Sequence, residues 1–122
     1  MAVFDPRYVT ELAPSDFDDR MRTKPSECSF VVFYAPWCPH CHSIAPIWND
    51  MGKLARKDTS FGVYSLNGDK YKSFVKLLSK KVEITGFPTI LIFKGDDIHV
   101  YNDDRTITAL MNKCSKICKG KR

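Results

Sequence analysis

No apolar run in this chain of 122 residues approaches the roughly 20 residues that a membrane helix needs, so no bilayer span and no membrane partner are expected. The opening residues, MAVFDPRYVT, interrupt any apolar stretch with Asp5, Pro6 and Arg7 and lack the pattern of a secretory leader. The closing KGKR lacks a retention signal for the endoplasmic reticulum. These absences lead to the expectation of a cytoplasmic protein, with an oxidising lumenal compartment as the alternative if the chain is a mature fragment. Internal repeats, low-complexity segments and Gly/Ser linkers are missing too, so a single domain over residues 1–122 is expected.

The charge is lopsided in one place only. Of the 19 Lys and Arg residues, Lys113, Lys116, Lys119, Lys121 and Arg122 stand in a tail without acids, which leaves 14 basic against 14 acidic residues elsewhere. Nucleic-acid binding calls for cations interleaved with aromatics across a face, so no nucleic-acid partner is expected. The tail from about Lys113 reads as a frayed, solvated end. With 43% hydrophobic and 27% charged residues, the remainder suits a soluble globular protein with its own core.

Strand and helix signals alternate. Ser15 followed by Asp18 resembles a capping box and predicts a short first helix, with Phe17 and Met21 on one face up to about Arg22. Ser29 to Tyr34, SFVVFY, is a continuous apolar run of the kind found in a strand buried on both faces. From Pro39 to about Lys57, Ile44, Ile47, Trp48, Met51 and Leu54 recur at helical spacing, with Pro46 expected to kink the run. Phe61–Leu66 reads as a strand and Asn67-Gly68 as a turn, after which Asp69 is placed to cap a helix through Tyr71, Phe74, Val75 and Leu78 to about Lys81. Thr89–Phe93 and Ile98–Tyr101 form a predicted hairpin. Ile107, Leu110, Met111, Cys114, Ile117 and Cys118 face one side of a last helix.

The strand at Tyr34 runs into WCPHC, Trp37 to Cys41, followed by His42. The letters fit a redox dithiol, half of a zinc site, or the Cys-x-x-Cys-His pattern of attached haem. Haem would need a second axial ligand and an open cleft, whereas this motif is flanked by a buried strand and an apolar-faced helix. Zinc would draw on Cys38, Cys41, His40 and His42, yet a closed site wants a second ligand pair, and Cys114 and Cys118 are spaced to pack on one helical face. No metal and no cofactor are therefore expected. A helix opening beside Cys38 points unpaired N–H groups and the positive end of its dipole at that sulfur, with His40 able to add to the effect. Cys38 then attacks, and the deeper Cys41 resolves the mixed disulfide. Cys28 reads as a half-buried bystander, Cys114 and Cys118 as packing residues, His99 as solvated, and Trp48, Phe30, Phe33, Phe61 and Phe93 as core.

FVVFYAPWCPHC, Ile44-Ala45-Pro46 and the later Gly86-Phe87-Pro88-Thr89 together resemble a thioredoxin-fold domain of the protein disulfide isomerase kind, over about Ser15 to Ile117. The resemblance implies an α/β fold with a central mixed sheet flanked by helices. It also implies a redox disulfide Cys38–Cys41 with Cys38 as nucleophile, and a cis-proline at Pro88. Trp37, Pro39, Phe87 and Thr89 would contact an extended substrate strand, and Arg105 would swing toward the resolving thiol. Two departures stand out. Such domains usually carry a proton-relaying carboxylate where this chain has Val32, so water or a group such as His42 must serve, or turnover is slower. Pro39-His40 between the cysteines resembles the strongly oxidising bacterial disulfide oxidases.

The expected activity is thus thiol-disulfide oxidation, isomerisation or exchange on cysteine-containing protein substrates. The expected partners are those substrates and a redox partner that resets the dithiol, and the chain is expected to be a monomer. A chaperone-like binding module and a cytosolic reductase are the alternatives.

Overall fold

A computed structural model of the chain describes residues 2–119. In order it contains β1 (Thr10–Leu12), a 3-10 turn (Pro14–Asp16), β2 (Cys28–Tyr34), α1 (Pro39–Lys57), β3 (Gly62–Asn67), α2 (Lys72–Leu78), β4 (Thr89–Lys94), β5 (Asp97–Val100) and α3 (Ile107–Ile117). The five strands form one sheet in the order β1-β3-β2-β4-β5, parallel across the first three and antiparallel from β2 to β5.

The apolar run makes the middle strand because it can be buried on both faces, and all seven residues of β2 are buried. Alternation divides them. Phe30, Val32 and Tyr34 join Ile44, Trp48 and Met51 of α1 and Leu110 and Cys114 of α3 on one face. Val31 and Phe33 meet Leu12, Phe17, Leu66, Leu78, Leu91 and Phe93 on the other, with Phe74 and Val75 of α2 packed against them. Each large side chain so buried contributes roughly 1.5–3 kcal/mol of transfer free energy. Trp48 is wholly buried and its indole N–H donates to the Tyr64 carbonyl at 2.9 Å, which fixes α1 against β3.

Several expectations give way. The predicted first helix is instead a single 3-10 turn: Pro14 opens it, Asp16 accepts from the Ala13 amide at 2.8 Å, and Phe17 pairs with Thr23 in an isolated bridge. Asp18 accepts from the Arg22 and Arg20 amides, so its carboxylate holds a turn rather than a helix start. Helix α2 starts after Tyr71, and Asn67 rather than Asp69 takes the amides of the preceding turn, Asp69 and Lys70 donating to Asn67 Oδ1. The helix expected from Pro39 to about Lys57 is α1, continuous through Pro46.

The sulfur chemistry at the far end of the sheet also differs. Cys28 and Cys118 are joined in a disulfide, Cα atoms 5.6 Å apart, because the start of β2 and the end of α3 converge. Neither is a bystander or a mere packing residue. Cys114 is a buried free thiol, pushed up to about 11 chiefly by burial. The expected fraying from Lys113 does not occur through Lys119: α3 reaches Ile117, Lys113 pairs with Asp103 at 3.1 Å, and Lys119 pairs with Asp58 at 2.6 Å. Lys121 and Arg122 lie outside the described residues.

Candidate active site

Strand β2 delivers the chain to the end of the sheet, Ala35-Pro36-Trp37 turns it, and Cys38 becomes the N-cap of α1. Its backbone is extended (φ −86°, ψ 114°), and Pro39 at the first helical position has no N–H to leave unpaired. The Cys38 side chain takes the capping place, with Sγ accepting from the Cys41 amide at 3.3 Å. The same thiol faces the carbonyl oxygen of Phe87 at 3.6 Å. The peptide between Phe87 and Pro88 is cis.

Cys38 is 4% exposed and Cys41 is fully buried beneath it. Both are free thiols, so the pair stands in its dithiol form. Burial pushes the Cys41 thiol up to about 12, helped by its hydrogen bond with Cys38; the Ala35 amide and the Arg105 charge pull the other way. One sulfur is thus held at a helix N-terminus with only a sliver exposed, and its neighbour is kept protonated below it. That arrangement suits attack by the first and resolution by the second.

Trp37 is 67% exposed and meets Phe87 edge-on, ring centroids 6.5 Å apart. Phe87, Pro88 and Thr89 are half-buried, and with Arg105 and Tyr101 they line a groove of about 480 Å3. The Thr89 hydroxyl donates to the Gly86 carbonyl at 2.5 Å. Pro39 and His40 are exposed on the first turn of α1, and Arg105 is exposed beside the groove. His42 is turned outward, its Nε2 2.7 Å from the Pro36 carbonyl, so it does not reach into the buried side of Cys41. Val32 is wholly buried among apolar neighbours, and Ile90 of β4 and Ser65 of β3 are its strand partners. His99 is exposed, and Trp48 with the four named phenylalanines is in the core.

Three contributors escaped the sequence. Gly68 lies so close under the Phe87 ring that a Cβ there would stand 2.4 Å from it. Tyr34 donates from its hydroxyl to Glu11 Oε2 at 2.7 Å, on the Cys41 side of the sheet. The Cys28–Cys118 bond joins the start of β2 to the end of α3, and the opposite ends of these two elements lead to Cys38 and from Arg105. Only Asn67-Gly68, read as a turn, gave any signal. Among the described residues no group of three or more His, Cys, Asp or Glu side chains converges as metal ligands.

Residues 8–116 match the thioredoxin family. "Protein disulfide-isomerase 5-1" of Arabidopsis thaliana is 31% identical over 103 residues, 84% of this chain and 67% of that protein. "Probable protein disulfide-isomerase A6" of Medicago sativa is 34% identical over 92 residues, 75% of this chain; the match spans about a quarter (24%) of that relative's length. Among solved structures, the J-Trx1 fragment of ERdj5 superposes with a TM-score of 0.73 at 25% identity, covering 94% of this chain and 54% of that one. The first thioredoxin domain of mouse protein disulfide-isomerase A4 gives 0.69 at 26% identity, covering 91% and 74%. With its five-stranded mixed sheet and its thiol pair at the head of α1, the chain belongs to the thioredoxin family, as a domain of the protein disulfide isomerase kind.

Proposed function

We propose that this domain oxidises, isomerises or exchanges disulfides in protein substrates through the Cys38–Cys41 pair. The observation that carries the reading is the placement of Cys38 Sγ, between the Cys41 amide at 3.3 Å and the Phe87 carbonyl at 3.6 Å, with a second thiol buried beneath it. A client cysteine bonded to Cys38 would lie against Phe87 and Pro88, and the client backbone would extend beside Thr89. The exposed indole of Trp37 and the half-buried Phe87 would supply contact that does not depend on client sequence. Arg105 at the groove wall, whose charge reaches Cys41, and His40 at the helix mouth would tune the charge at the pair.

The other sulfur pair bears on the compartment. A disulfide between the buried Cys28 and Cys118 argues for an oxidising compartment over the cytoplasm. It argues equally against a cytosolic reductase. The test of the function is covalent trapping. Cys41→Ser should accumulate mixed disulfides between Cys38 and cysteine-containing clients, visible as bands that vanish on reduction, and Cys38→Ser should accumulate none.

One observation favours a second reading, a binding module that holds its clients without covalent exchange. Val32 puts an apolar side chain where a proton relay for Cys41 would otherwise sit. Clients retained by Cys41→Ser without any covalent bond would decide for this module.

A further inference from the structure

Charge is lopsided on the body of the fold as well as in the tail. Residues 69–81, which lead from β3 through α2, carry Lys70, Lys72, Lys76, Lys80 and Lys81 against the single carboxylate of Asp69. All five lysines are exposed. Asp69 is taken by Lys72, whose Nζ donates to Oδ1 at 2.9 Å. Among the described residues, no carboxylate lies within 4.0 Å of Lys70, Lys76, Lys80 or Lys81, so four cations stand uncompensated on one stretch.

Local geometry gathers them. Lys72 and Lys76 are one turn apart on α2. Lys80 continues the row, because the Lys80 and Lys81 amides donate to the Leu77 and Leu78 carbonyls at 3.2 and 2.9 Å and carry the coil past the end of the helix. Lys70 lies over the Tyr71 ring, 5.3 Å from its centroid, and Lys81 reaches the Arg20 carbonyl at 3.5 Å. Of the acids in the neighbouring loop, Asp16 accepts from the Ala13 amide at 2.8 Å and Asp18 pairs with Arg22 at 2.7 Å, which leaves Asp19 alone to oppose the lysines.

This face adjoins the redox site. Gly68 packs beneath the Phe87 ring, and the Phe87 carbonyl is 3.6 Å from Cys38 Sγ. Directly after Gly68, Lys70 and Lys72 join Pro14, Tyr71 and Phe74 around a cavity of about 540 Å3. Farther along α2, Leu77 is 47% exposed. A client chain leaving Cys38 on this side would cross an apolar hollow rimmed by lysine and then meet the lysine row. At about 1.5 Å per helical residue and about 3.4 Å per extended one, the rise from Lys72 to Lys80 matches roughly four client residues.

We propose that the lysine face of α2 docks an acidic, extended segment of the client a few residues from its reacting cysteine, and so selects among clients. This deepens the oxidoreductase reading and rests on it. Charge complementarity sets the sign of the occupant, and continuity with Cys38 through Phe87 and Gly68 makes it part of the client chain. An anionic membrane fits less well, because α2 turns Phe74, Val75 and Leu78 toward the core and offers only Leu77 for insertion.

The test uses two peptides, each with one cysteine held as a mixed disulfide with 2-nitro-5-thiobenzoate. They differ only in carrying four glutamates or four glutamines on each side of that cysteine. Cys38 attacks the peptide sulfur, the bond from peptide to Cys38 forms, and the nitrothiolate that leaves reports the rate. At low salt the acidic peptide should react about tenfold faster, and the ratio should shrink toward one at about 0.5 M salt. Lys70→Gln/Lys76→Gln/Lys80→Gln should cut the low-salt ratio below about twofold. Lys53→Gln/Arg56→Gln/Lys57→Gln, which removes as much charge from the far end of α1, should keep it. Equal rates for the two peptides in the parent, or equal loss of the ratio in both variants, would overturn the docking face. Equal peptide rates together with capture of the protein by phosphatidylserine vesicles would overturn it in favour of a membrane. If neither peptide reacts, the oxidoreductase reading falls. Fluorescence anisotropy of the acidic peptide with alanine in place of its cysteine then decides the face alone: binding lost in the α2 variant sustains it, and no binding by the parent overturns it.

Discussion

The thiol of Cys38 and the carbonyl oxygen of Phe87, 49 residues apart in sequence, stand 3.6 Å from each other across the active-site edge of the sheet. The first is held by a helix, the second by a loop, so the contact depends on what fixes the loop. Phe87 is held by Trp37 on one side and by Gly68 on the other.

Gly68→Ala should therefore damage exchange with proteins. Its Cβ would meet the Phe87 ring at 2.4 Å, forcing the ring to turn or the loop to move. The Gly68 amide also donates to the Tyr34 carbonyl at 2.7 Å, so the glycine itself has little freedom to retreat. A stability loss of about 1–3 kcal/mol is expected from overpacking. The rate of exchange with a cysteine peptide should fall more than the rate with a small disulfide, because only the peptide needs the Phe87 surface. Equal losses for both would sink the assignment of Phe87 to substrate contact.

Cys28–Cys118 closes a loop of sequence separation 90. In the chain-entropy account a closure of that length constrains the unfolded state by about 4–5 kcal/mol. Cys118→Ala should lower the unfolding free energy in denaturant titration by up to that amount, and adding reductant should do the same to the parent without affecting the variant. An equal response of both to reductant would show that the active-site pair, not this bond, carries the effect.

Much of this was legible in the sequence, and the reasons differ by element. SFVVFY declares a buried strand because every residue is apolar apart from Ser29, and WCPHC placed after it declares the site. The three-residue strand Thr10–Leu12 is too short to show alternation and exists because β3 offers it an edge. Ser15 and Asp18 look like a helix start in isolation, but Pro14 and Asp16 close a tighter turn first. The pairing of Cys28 with Cys118 is a meeting of two ends in space, and no spacing along the chain encodes it.

Alkali should loosen the fold. The unfolded-state value of a cysteine lies near 8.5, while Cys41 is raised to about 12 and Cys114 to about 11, both chiefly by burial. Between those limits the unfolded chain has released protons that the folded chain still holds, so stability is fully present below about pH 8.5 and falls as pH rises toward 11–12. Tyr34 is also raised and acts in the same direction. Unfolding free energies of the dithiol form measured from pH 7 to 11 should decline steadily, and Cys114→Ala should flatten part of that decline. A level profile in the parent would contradict the burial of both thiols.

The redox potential decides the direction of the chemistry. The Cys41 amide and the N-terminus of α1 face the Cys38 sulfur and favour negative charge on it, which stabilises the reduced form relative to the disulfide. Stabilising the reduced form makes a disulfide more oxidising, and Pro39-His40 in the intervening turn leans the same way. Equilibration in graded glutathione buffers, with the fraction of alkylated Cys38 and Cys41 as readout, should give a potential above roughly −220 mV, the upper end of the cytosolic glutathione range. Thr106→Ala, which removes the cap of α3 where its hydroxyl accepts from the Ala109 amide at 3.1 Å, should leave that potential unchanged. A value at or below the cytosolic range would mean that burial of Cys41 outweighs the helix terminus, and the domain would then reduce disulfides in its clients rather than form them.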